Sequence, residues 1–315
     1  MREDAHGSRS GSRAAGAGSL GRWWQRSLVQ EAVFGYLLVL PAIVGLLLFD
    51  AGPIVSSFYL SFTNADILTP PKWLGLANYT LLFQTDTFYK ALRVSATFAF
   101  VAVPVSLVIS LLLSVILNQN LAGKNVYRLL YYLPAVCSSV AVAMVWVQLY
   151  HPQYGILNWL LRLVGLPKLP WLNSTRWALP SVMIIAIWGS LGPQMVVFLA
   201  GLQGIPASLY EAAEIDGASR WENFLNITVP LISPSTFFLL VTGLIGAFQA
   251  FELSYVATGG GPAYATYTIA FYIFQCAFNF ARMGYASAMA YVLAVIVLAI
   301  TLIQFAVQKR WVYYE

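Results

Sequence analysis

The chain has 315 residues, of which 59% are hydrophobic and only 9% charged, with a mean hydropathy of +0.72 and a formal net charge of +5. Soluble domains carry roughly 25% charged residues, so a surface this poor in charge cannot be covered by water, and lipid is expected as its main solvent. The excess of positive charge comes partly from Arg2, Arg9, Arg13, Arg22 and Arg26, and no basic stripe interleaved with aromatics follows them, so nucleic acid is not an expected partner.

Residues 1–28 are rich in Gly, Ser, Ala and Arg. They hold too little apolar surface to pack and are expected to form a disordered basic tail. Six apolar stretches then recur, at about 32–58, 92–117, 129–150, 178–202, 235–257 and 285–307. Each has the roughly 20 residues that cross a bilayer. Backbone groups in lipid must bond within their own segment, so helices are expected. The fold class read here is an all-α membrane protein with six transmembrane helices over residues 29–315. An even number of spans puts both termini on one side. That side would hold ten Lys and Arg against seven on the other, which favours cytoplasmic termini in a multi-pass protein of the inner or plasma membrane.

Between the first and second spans, and again between the third and fourth, lie Trp73, Tyr79, Phe83, Tyr89, Trp159, Trp171 and Trp177, read as anchors at the membrane boundary. After the fifth span, residues 258–283 are too polar for an ordinary crossing and are expected to form a loop followed by a re-entrant or interfacial helix. His6, His151, Cys137 and Cys276 have no metal-ligand spacing, so neither a metal site nor a Cys–His nucleophile is expected.

The most informative segment is 204–234, GIPASLYEAAEIDGASRWENFLNITVPLISP. Its charges keep it out of hydrocarbon, and it reads as two short helices around a sharp turn. Pro206 suits the first turn of a helix. Gly217 suits the position just past a helix end, where φ is positive. Ser219 and Glu222 form a capping box for the second helix. Trp221, Phe224, Leu225 and Ile227 give that helix an apolar side, and Pro230 and Pro234 are expected to end it. A helical hairpin of this kind suits a groove on a partner; the alternative is a pair of helices lying on the membrane.

Glu211-Ala212-Ala213, three residues, Gly217, nine residues, Ile227, two residues and Pro230 together resemble the EAA motif of permease subunits of binding-protein-dependent ABC importers. Val229 stands where that family often has Leu. Asp216-Gly217-Ala218, the run Trp73-Leu74-Gly75-Leu76-Ala77-Asn78-Tyr79 and Thr258-Gly259-Gly260-Gly261-Pro262 are similar to its carbohydrate branch, the maltose and glycerol-3-phosphate permeases. The resemblance implies a coupling helix seated on a separate ATPase, with Glu211, Ala212, Ala213, Asp216, Gly217, Ile227 and Pro230 as the coupling residues. It also implies a second permease, two ATPase copies and an extracytoplasmic solute-binding protein as partners, and alternating access as the mechanism. No stretch reads G-x-x-x-x-G-K-[ST], so ATP and magnesium are expected in the ATPase and no cofactor in this subunit.

Ionisable groups inside spans are functional candidates by default. On a continuous fifth span, Phe248, Glu252 and Tyr255 would share one face with Gln249 adjoining, and could line a solute path. Trp188 and Gln194 on the fourth span are further candidates, near Gly189, Gly192 and Pro193, which are expected to interrupt that helix. An ion-coupled secondary transporter is the alternative function, although no repeated half is evident.

Overall fold

A computed structural model of the chain describes residues 17–66, 69–119 and 121–313, with side chains from Gln30 onward. It divides into two units, Met1–Ser57 and Phe58–Glu315. In the first, α1 spans Ala17–Gly45 and a π-helical turn follows at Leu46–Ala51. Pro53, in the first turn of α2 (Gly52–Ser61), has no N–H to offer the carbonyl one turn back, and the widened turn before it absorbs that loss. The run Gln30–Ser61 is long and apolar enough to cross a membrane. Residues 1–16 of the expected tail lie outside the described residues, and α1 begins within the stretch read as tail, where Ala, Leu, Gln and Arg favour helix.

In the second unit, α3 (Ala77–Gln84) and α4 (Asp86–Leu117) come first. The third span is not one rod. It is α5 (Lys124–Val136) and α6 (Ser139–Leu149), bent by 102° at Cys137–Ser138. Pro134 in the last turn of α5 withholds a backbone donor there, and both residues of the break are extended. Next come α7 (Ile156–Leu163) and α8 (Ala178–Gln203). Contrary to expectation, α8 runs unbroken through Pro193; packed neighbours in a bundle tolerate such a residue.

The loop follows as α9 (Ala207–Ile215), α10 (Arg220–Asn223), a π-helical turn at Phe224–Thr228 and α11 (Val229–Leu231). Pro230 and Pro234 do not end a helix. Each sits in the first turn of one, Pro230 in α11 and Pro234 in α12 (Ser233–Phe248), where a missing N–H costs nothing. The two runs meet at a bend of 61°. Exposed Arg220 and Glu222 keep the first of them outside the hydrocarbon, so the fifth span is α12. It stops earlier than expected: Gln249–Phe251 is not helical, and α13 (Glu252–Thr258) restarts beyond it. The Ala250 carbonyl at this break accepts from Thr268 Oγ1 at 2.8 Å. α14 (Ile269–Phe274) and α15 (Met283–Gln308) complete the chain. Among the described residues, four helical runs are long and apolar enough to span, and counting each bent pair as one span gives up to six.

The centre of the unit is the packing of α4 against α8, with α12 and α5 alongside. Ala91, Ser95, Ala99, Ala102, Ser106, Ser110 and Ser114 give α4 a buried stripe of small residues, which lets helices approach closely without a hydrophobic drive. Gly192 serves the same purpose on α8, since a Cβ there would lie 2.5 Å from the Tyr131 carbonyl oxygen on α5. α14 is no interfacial strip: Ile269, Phe271 and Tyr272 are buried in the main core. Trp171 is likewise interior rather than an anchor, its Nε1 donating to Asn158 Oδ1 at 3.0 Å and its ring 4.9 Å from that of Tyr150.

Candidate functional site

Two features carry the candidate chemistry: the α9–α11 loop at one end of the bundle and a cavity within it. The loop is stiffened by its own sequence. α9 is capped at Asp216, and Gly217 follows at φ +80°. The Gly217 N–H bonds the Glu214 carbonyl at 3.1 Å and the Ala218 N–H bonds the Ala213 carbonyl at 2.9 Å, which is the Schellman arrangement that a left-handed residue permits. Two residues on, the capping box forms as read. The Glu222 N–H reaches Ser219 Oγ at 3.3 Å and Glu222 Oε2 accepts from the Ser219 N–H at 2.7 Å. The second of these bonds, then the Ser219 side chain, holds the Glu222 carboxyl below the usual carboxylate range. Pro206 precedes α9 as its N-cap rather than lying in its first turn.

The coupling candidates sit together on this loop. Glu211, Ala212, Asp216 and Gly217 are exposed, and Ala213, Ile227 and Pro230 are half-buried. No residue of α9 is buried. Ile215 is 87% exposed and Trp221 65% exposed, which leaves apolar surface beside an acidic one.

The cavity, about 400 Å³, lies among α4, α5, α6, α8, α12 and the start of α13. Ser106, Cys137, Ser139, Ser190, Gln194 and Gly246 contribute to its wall, and no Lys, Arg, His, Asp or Glu does. Of the path residues expected from sequence, Gln194 lines this cavity. Its amide is fixed from both sides: Oε1 accepts from Ser110 Oγ at 2.9 Å and Nε2 donates to Ser106 Oγ at 3.1 Å. The serines were not singled out from sequence, although their spacing of four residues puts them on one helix face.

The other path candidates are not brought together. Because the helix breaks after Phe248, that residue and Glu252 and Tyr255 do not share a face. Phe248 is 2% exposed, with its ring 6.2 Å from that of Phe100. Gln249 is exposed in the break. Glu252, at the start of α13, accepts from Ser139 Oγ at the start of α6, so the two broken spans are fastened at their breaks. Tyr255 stacks on Phe251 with centroids 5.3 Å apart. Trp188 packs edge-on to Trp146 at 5.6 Å and is not part of the cavity wall.

Residues 97–313 match the model of the family described as binding-protein-dependent transport system inner membrane component. The chain belongs to that family. Among its relatives, a probable ABC transporter permease protein of Bacillus subtilis, YesP, is 41% identical over 92% of this chain and 95% of its own length. The trehalose/maltose transport system permease protein MalF of Thermococcus litoralis is 34% identical over 89% and 95%. A solved bacterial alginate ABC transporter, in complex with an alginate pentasaccharide-bound periplasmic protein, contains a chain that superposes with a TM-score of 0.80 at 26% identity, covering 92% of this chain and 98% of that one. The protein is thus the permease subunit of an ABC importer, with the all-α bundle of that family. Nothing in these likenesses supports the ion-coupled alternative.

Proposed function

We propose that this permease subunit carries a carbohydrate inward, paired with a second permease and driven by two copies of an ATPase that receive α9. The observation that carries this is the loop itself. Its turn is fixed by paired backbone bonds and its second helix by a capping box, yet no described residue covers its acidic and apolar outer surface. A rigid, uncovered helical hairpin suits insertion into a partner's cleft. Six crossings would put this loop on the same side as both ends of the chain, and the bias of Lys and Arg supports the cytoplasm as that side.

A solute-binding protein on the opposite face would deliver the cargo, as the alginate transporter's complex with its periplasmic protein suggests. ATP and magnesium belong to the ATPase subunits, and nucleotide-driven closure there would alternate the access of the cavity. Gln194 and Ser190 offer an amide and a hydroxyl to sugar hydroxyls. Its wall lacks a cation that would pair with an anionic cargo, which favours an uncharged glycan. Gln249, Glu252, Tyr255, Phe248 and Trp188 lie outside the wall and would act on the path indirectly.

Cysteines at Ala213 and Ser219, placed in the complete complex, test the docking. Crosslinks to the ATPase subunit are expected from both. Crosslinks from neither, or reaction of both with a membrane-impermeant thiol reagent added outside intact cells, would refute it. The ligand retained by the cognate binding protein through purification, read by mass spectrometry, tests the cargo class.

A further inference from the structure

α9 is attached to the bundle by few contacts. None of its residues is buried, and a cavity of about 450 Å³ opens beneath it, walled by Tyr210, Asn223 and Thr228 on the loop side and by Asn118, Gln119 and Leu202 at the ends of α4 and α8. On the loop side of this gap, one side chain joins α9 to the approach of the fifth span. Tyr210, the residue before Glu211, places its hydroxyl 2.9 Å from Thr228 Oγ1. Thr228 is 6% exposed, and its own hydroxyl donates to the Asn223 carbonyl at 3.4 Å. In the first bond either hydroxyl can donate. Thr228 then leads directly into the fifth span: it is the N-cap of α11, and its carbonyl accepts from the Ile232 N–H at 2.9 Å, one residue before α12. Gly243, Gly246 and Ala247 of α12 form part of the solute cavity's wall.

We propose that the Tyr210–Thr228 hydrogen bond is the strut by which movement of α9 reaches α12, with Tyr210 a positioning residue that acts through Thr228. The strut presupposes the docking of α9 on an ATPase proposed above. A soft gap transmits little force, whereas a bond from a half-buried ring to a buried hydroxyl ties the two segments at a point adjacent to the docking surface. The covalent route through Asp216–Ser219 remains, so loss of the strut weakens transmission without detaching the loop.

The chain carries its own reporter. Cys137 is a free, exposed thiol in the cavity wall at the α5–α6 break, while Cys276 is buried. In the complete complex, N-ethylmaleimide labelling of Cys137 is followed by mass spectrometry with and without ATP and vanadate, and normalised to trapped nucleotide. The wild-type rate is expected to differ between the two states. In Tyr210→Phe and in Thr228→Val that difference should fall by about half or more, with nucleotide still trapped. The double variant should be no worse than either single one, and Thr228→Ser, which keeps the hydroxyl, should restore the wild-type response. A full difference in Tyr210→Phe overturns the strut. So does loss of the ATPase from that variant, which makes the bond an assembly contact. A wild-type rate indifferent to nucleotide overturns instead the ATP-coupled reading on which the strut depends.

Discussion

Gly217→Ala isolates the turn between α9 and α10. A Cβ at Gly217 meets nothing within 4 Å, but φ there is +80°. The substitution therefore costs backbone strain alone, about 1–2 kcal/mol for an L-residue held left-handed. A change of that size multiplies an opening equilibrium about 5- to 30-fold. The amides that report it are those of residues 217 and 218, which donate to the Glu214 and Ala213 carbonyls. In hydrogen exchange on the purified complex, these two should exchange faster by that factor, while amides inside α12 keep their rates. Gly217→Asn should show a smaller effect, because Asn visits the left-handed region more readily. Uptake should decline in the same order, Ala below Asn, since α9 and α10 lose their fixed angle. Wild-type exchange at Ala218 in Gly217→Ala would refute the reasoning, because the turn would then not be held by the Schellman bonds.

Gln194→Ala removes two buried hydrogen bonds. Bonds between helices in membranes average about 0.6 kcal/mol each, so roughly 1 kcal/mol of stability should go, seen as a small drop in the detergent melting temperature, while the solute concentration for half-maximal uptake rises. The lowered pKa of Glu222 means that its cap is fully present above the ordinary carboxylate range and is lost as pH falls through the depressed value. Exchange at the Ser219 amide, corrected for its intrinsic rate, should rise only in that acid window, and Glu222→Gln should show no such step. Ser139→Ala and Glu252→Ala each unfasten the two broken spans. Both should speed maleimide labelling of Cys137, with the double variant no faster than either alone; simple additivity would show that the bond does not join them.

The spans were legible in sequence because lipid demands long apolar runs, and the loop because its cues are local. Gly217, Ser219 and Glu222 each act within one turn of themselves, so the motif and the structure agree at those positions. What was illegible is non-local. A run of apolar residues has the same hydropathy straight or bent, so the 102° bend at Cys137–Ser138 left no mark beyond Pro134. Treating 235–257 as one helix put Phe248, Glu252 and Tyr255 on a single face; the end of α12 at Phe248 removed that face. Gln194 was singled out, but its serine partners lie more than 80 residues away in the chain. Tyr210 and Thr228 are 18 residues apart, on either side of the turn at Gly217, and only the folded loop pairs them.

Stiffness and softness are distributed unevenly along one line through the molecule. At one end the loop is rigid at its turn and its cap, and Tyr210 ties it to the approach of α12. α12 itself is an unbroken helix, with cavity-lining residues in its second half. At the other end, Gln249–Phe251 is non-helical, so α13 is not obliged to follow when α12 moves. On the proposed coupling, a push on the loop would reach the cavity wall along α12 and stop at the break, beyond which α13 is fastened to α6 through Glu252 and Ser139. Had α12 and α13 been the single helix that hydropathy suggests, the same push would carry both ends of the cavity together, a movement that the proposed alternating access could not use.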